Sequence, residues 1–131
     1  MADDKRLERL YDYTKWHIGI YLALGSGIVA GIGFMFRDTK PWQHLLHGPF
    51  LLLAFFTMVG AGIAGGVIGS SLACTEKWED FWDKDQGFWG IPILTGKTWT
   101  HIEHACFWLS LCLATIGILK GEIADITKFT P

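Results

Sequence analysis

The side chains of this 131-residue chain with types suited to chemistry are five histidines, a glutamate beside an apolar run and three cysteines. His101 and His104, like His44 and His47, are spaced i, i+3, which places both imidazoles of a pair on one face wherever the backbone is helical. Imidazole is a ligand for zinc, copper and haem iron. His17 stands just inside an apolar run that opens at Trp16, and His104 just inside another that opens near Ile102. Two such residues at similar depth on separate helices can hold a haem b through both axial positions. His17, His101 and His104 are therefore the candidate cofactor-binding residues, while no spacing names a particular metal. The weightier reading is plainer: His, like Tyr and Trp, is amphipathic and settles at a membrane interface.

Glu103 is the acidic residue closest to an apolar run. An ionisable group within a span is a functional candidate by default. Glu in the first turn of a helix, however, is favoured by the helix dipole and reaches water, and at this depth the sequence favours that account. Cys74, Cys106 and Cys112 read as small buried hydrophobes. Cys74 and Cys106 fall on the side assigned below to a reducing compartment, which argues against a structural disulfide. The chain carries no Gly-rich phosphate loop with Lys, no GxSxG, no CxxC and no HExxH, which speaks against a hydrolase or kinase. A charged residue near the centre of a span is also missing, which speaks against an ion-coupled transporter acting alone.

The elements that must position these residues follow from the distribution of charge. Half the residues are hydrophobic and 18% are charged, against about a quarter charged in soluble domains, and the mean hydropathy is +0.29. The charges crowd between three apolar stretches, at 16–36, 49–73 and 102–119, of which the last alone holds a charged type, Glu103 in its first turn. A helix of about 20 residues at 1.5 Å each crosses the hydrocarbon core, so all three read as spans. Pro49 suits the first turn of the second, where its missing N–H does no harm. The first stretch exceeds a signal-peptide apolar core and ends at Phe34–Arg37 without a small-residue cleavage site, so it reads as a mature span. Ahead of it, Leu7, Leu10 and Tyr11 recur at helical spacing among charges, predicting an amphipathic turn on the membrane surface. Between the second and third spans, Trp78, Phe81 and Trp82 at i, i+3 and i+4 predict an interfacial helix over 76–84, with its aromatic face toward the bilayer. The following stretch, 87–96, is too short for a fourth span. The fold expected is an all-α membrane protein, a single domain over 1–131 with three transmembrane helices.

Small residues mark the first two spans. Ala23, Gly27 and Gly31 recur every fourth residue, as do Gly62 with Gly66 and Gly65 with Gly69, among 16 glycines in all. In lipid, close backbone approach over Gly drives helix association, so these positions predict a tight crossing, within the chain or with another copy. Lys5, Arg6, Arg9, Lys15, Lys77, Lys84 and Lys97 on one side outnumber Arg37, Lys40, Lys120 and Lys128 on the other, which predicts a cytoplasmic N-terminus. A net charge of −2 with mixed signs argues against nucleic acid. The function this favours is a structural or interaction subunit of a homo-oligomer or larger membrane complex, partnered by lipid and by other membrane chains. A haem- or metal-binding redox anchor and an oligomeric pore lined by Ser26, Thr57, Ser70, Ser71 and Thr115 are the alternatives.

Overall fold

The computed structural model describes residues 2–35 and 47–126. Helix α1 runs over Ala2–Met35, α2 over Gly48–Leu72, α3 over Trp78–Trp82 and α4 over Gly96–Ile126. A two-stranded hairpin, β1 (Asp85–Gln86) and β2 (Leu94–Thr95), joins α3 to α4. Lys5–Phe34, Gly48–Leu72 and Gly96–Lys120 are each long and apolar enough to cross a bilayer, the layout of a multi-pass membrane protein. Gly19, Gly25, Gly27 and Gly33 do not break α1. Where lipid offers no hydrogen bonds, the backbone gains more from the helix than glycine loses to entropy.

Two expectations about the ends of the spans change. The turns before Trp16 are not a separate surface element: α1 is unbroken, and Leu7 is buried in a cluster with Ala64, Val67, Ile68, Leu72, Phe81 and Trp99. The apolar side of these turns therefore meets protein. Helix α4 likewise begins at Gly96, ahead of the expected Ile102, so Glu103 lies about two turns inside it. The start is fixed sterically, because a Cβ on Gly96 would collide with the Phe81 carbonyl oxygen and ring.

The expected aromatic helix is present as the short α3. Phe81 is completely buried against the cluster around Ile68, with Trp78 and Trp82 stacked at 4.9 Å beside it. Its principal aromatic contact is thus with the ends of α1, α2 and α4. The hairpin pairs Asp85 with Thr95 and Gln86 with Leu94. It is anchored by Gln86 Nε2 donating to the Asp80 carbonyl at 2.9 Å and by Trp99 Nε1 donating to the Gln86 carbonyl at 3.0 Å.

Helices α2 and α4 are fastened along their length. Ser110 Oγ donates to the Ala54 carbonyl at 2.6 Å, and the His47 N–H donates to the Gly117 carbonyl at 2.9 Å. Helix α1 meets α2 through Tyr21, Met58 and Ala61, with Ile18 packed beside them. Of the glycines expected at a crossing, Gly65 is in contact, since a Cβ there would meet Ile18, Tyr21 and Glu103 at 3.5–3.6 Å. Gly69 approaches the Thr14 methyl at 4.0 Å. Gly27, Gly62 and Gly66 instead face open space, Ala23 is exposed and Gly31 is half-buried. The crossing within the chain runs through Gly65.

Candidate functional site: a buried carboxylate among imidazoles and phenols

Tyr13, His17 and Tyr21 recur every fourth residue on α1, which stacks them along one face. That face turns toward α4, where it meets Glu103 and His104. Glu103 is 1% exposed. Gly65 of α2 lies directly beside it, where a Cβ would already touch Ile18, Tyr21 and Glu103 and anything longer would intrude. All three long helices meet at this carboxylate.

The polar contacts are directional. Tyr21 is itself 4% exposed, and its hydroxyl donates to Glu103 Oε1 at 2.7 Å. His17 Nδ1 lies 3.5 Å from the same oxygen, and His104 Nδ1 lies 3.4 Å from Oε2. His104 Nδ1 also sits 2.8 Å from the Thr100 carbonyl oxygen. A carbonyl only accepts, so this nitrogen carries the hydrogen, and neutral His104 presents its Nε2 lone pair to the Tyr13 hydroxyl at 2.8 Å. The Tyr13 ring stacks 5.6 Å from His104 and stands edge-on to His17 with centroids 3.8 Å apart.

Three buried polar atoms among the described residues have no hydrogen-bond partner: Thr14 Oγ1, His17 Nδ1 and Glu103 Oε2. Each orphan of this kind costs about 1–3 kcal/mol. Tyr13 and His104 are partly exposed, so they form a path from solvent to the buried carboxylate. In the other direction the next buried polar side chain on α4 is Ser110, two turns on, whose hydroxyl is committed to Ala54. The cluster is open toward one side of the bundle.

His17 and His104 do come together, with ring centroids 5.9 Å apart, whereas His101 is exposed and takes no part. The pair does not fit a bridging haem. Both nitrogens of His104 are engaged, and the Tyr13 ring fills the space against His17. No group of three or more His, Cys, Asp or Glu side chains among the described residues is arranged to hold a metal ion. His47 is extended, at φ −94° and ψ 99°, as the residue before α2, and His44 lies outside the described residues. Four of the five hydroxyls considered for a pore lining bond their own helices: Ser26 to Leu22, Thr57 to Leu53, Ser70 to Val67 and Thr115 to Leu111. They need no water to be satisfied.

Glu103 departs most from its expected role, since it is neither in a first turn nor solvated. Tyr13 and Tyr21 are the members of the site that sequence reading left out. Their four-residue periodicity with His17 was the available signal. Comparison with known protein families, with characterised proteins and with solved structures finds no match.

Proposed function

We propose that this protein is a proton-responsive interaction subunit of a membrane assembly. In this reading the protonation state of the Glu103 cluster sets how firmly α1 is held to α2 and α4, and neighbouring membrane chains or further copies sense the change. The observation that carries it is the placement of one buried carboxylate where α1, α2 and α4 converge, flanked by two imidazoles and joined to solvent through His104 and Tyr13. Ionisable groups inside a span are expensive and are kept for function. Imidazole is the side chain whose charge changes near neutral pH. A purely structural polar clasp would be expected to satisfy its donors and acceptors, whereas this one leaves His17 Nδ1 and Glu103 Oε2 unpaired.

The outward Gly27 supports the association half of the reading, because it leaves smooth helix surface for another chain. The excess of Lys and Arg on the N-terminal side favours a cytoplasmic N-terminus, so the cluster would sense cytoplasmic pH. The test compares assembly of wild type and Glu103→Gln in nanodiscs at about pH 5 and about pH 8. Assembly that changes with pH in wild type and not in Glu103→Gln is expected. Assembly of the wild type that is the same at both would sink the proposal.

A further inference from the structure

Independently of the Glu103 cluster, the hairpin overhangs the end of α2 and encloses a cleft of about 690 Å³. Its inner wall is the α2 face carrying Gly66, Ser70 and Cys74, and its outer wall is the hairpin from Asp85 to Trp89. Among the described residues, Asp85 is the one charged side chain that lines it, and no cation does. The cleft also lies at the C-terminal end of α2, where the helix dipole presents its negative pole. Phe88 and Trp89 add aromatic faces, which attract cations. Every electrostatic feature of the cleft therefore favours a positively charged group.

Trp89 is held in a left-handed conformation at φ 50° and is 97% exposed. Such a backbone costs on the order of 1–3 kcal/mol and is found where structure positions a side chain for contact. An exposed Trp beside the end of a span stands at headgroup depth. Below the cleft, Gly66 continues into Ile63 and Val59 at i−3 and i−7, one exposed apolar stripe running along α2 into the hydrocarbon region. A ligand that fits both parts has a cation at its water end and an apolar chain below it.

We infer that this cleft binds a phospholipid with a primary ammonium headgroup. The ammonium meets Asp85 and the Trp89 and Phe88 rings, and an acyl chain follows Gly66, Ile63 and Val59. The headgroup supplies hydrogen-bond donors to a carboxylate, and the outermost position of the ammonium in such a lipid matches that of Asp85 above α2.

The probe is phosphatidylethanolamine added to delipidated protein in detergent, with retention read by native mass spectrometry against phosphatidylglycerol of the same chains. Wild type should retain phosphatidylethanolamine preferentially. Asp85→Asn should weaken that retention about tenfold by removing a charge-assisted hydrogen bond. Trp89→Ala should weaken it about threefold. Asp85 pairs in the hairpin through its backbone and its side chain is exposed, so the fold of Asp85→Asn is checked by circular dichroism. Equal retention of the two lipids by wild type, or retention unchanged in a folded Asp85→Asn, overturns the inference. Binding of free ethanolamine as tightly as the lipid overturns the assignment to a phospholipid.

Discussion

The two ends of α1 are held in opposite ways. Near its start, Leu7 is sealed into the cluster beneath α3, and Tyr13, His17 and Tyr21 engage α4 through Glu103 and His104. Past Tyr21, no polar contact among the described residues ties it to its neighbours. An apolar groove of about 510 Å³ opens between α1 and α2, with Gly25, Ser26, Val29 and Ala30 on one wall and Phe55, Val59 and Gly62 on the other. Helices α2 and α4, by contrast, are joined at Ser110 and Ala54 and again at His47 and Gly117. The bundle is thus a fixed pair plus a helix fastened at one end. Chemistry placed at that fastening acts on the element with the most freedom to respond.

The largest expected effect comes from breaking the fastened end while sparing the free one. Gly65→Leu pushes a branched side chain into Ile18, Tyr21 and Glu103 and should lower stability by about 3 kcal/mol, as overpacking does. Gly27→Leu faces open space and should stay within about 0.5 kcal/mol for the isolated bundle. Unfolding in detergent followed by circular dichroism separates the two, and equal losses would show that α1 is gripped along its whole length.

A finer cut compares the two interhelical hydrogen bonds. Tyr21→Phe removes the donor to buried Glu103 Oε1 and should cost about 2 kcal/mol, because a charged or polar acceptor is left unpaired. Ser110→Ala should cost about 1 kcal/mol, since it deletes a neutral bond between helices otherwise well packed. In the same protein, limited proteolysis near the start of α1 should accelerate for Tyr21→Phe alone. The reverse order of the two losses would place the critical tie between α2 and α4.

The smallest effect concerns the cap that covers the fastened end. Lys84 lies 2.6 Å from Asp80 across one turn, and its ammonium holds the Asp80 carboxyl below its usual value of 3.8. A carboxylate whose folded value is depressed contributes stability that is complete above the unfolded value and is lost as acid carries the pH down through the folded one. Asp80→Asn should therefore differ slightly from wild type at about pH 6 and match it at about pH 2. Solvent screening of this exposed pair keeps the difference small.

Much of the architecture was legible from the chain alone, because a bilayer imposes a length and a composition that need no knowledge of contacts. The three spans, the helical N-terminal turns and the Trp78–Trp82 helix follow from runs and spacings in the sequence. Equal depth allowed His17 and His104 to meet, and packing brings their rings to 5.9 Å. What depth could not give was rotation. Whether Gly27 or Gly65 faces a neighbour, and whether Glu103 points to water or inward, depends on how each helix turns about its axis, which is set by packing against the others. In lipid the whole circumference of a helix is apolar, so periodicity points to no inward face.

The sequence by itself determined how many helices can cross the membrane, roughly where they begin and end, and which residues share a level. Those properties come from transfer of side chains between water and hydrocarbon, a sum over local composition. Tertiary structure alone decided that Glu103 is enclosed, that Tyr21 rather than a histidine donates to it, and that Tyr13 occupies the nitrogen of His104 a metal would need. Hydrogen bonds extend about 3 Å and depend on angle. Residues 82 and 91 positions apart satisfy those limits only once the three helices have closed on one point beside Gly65.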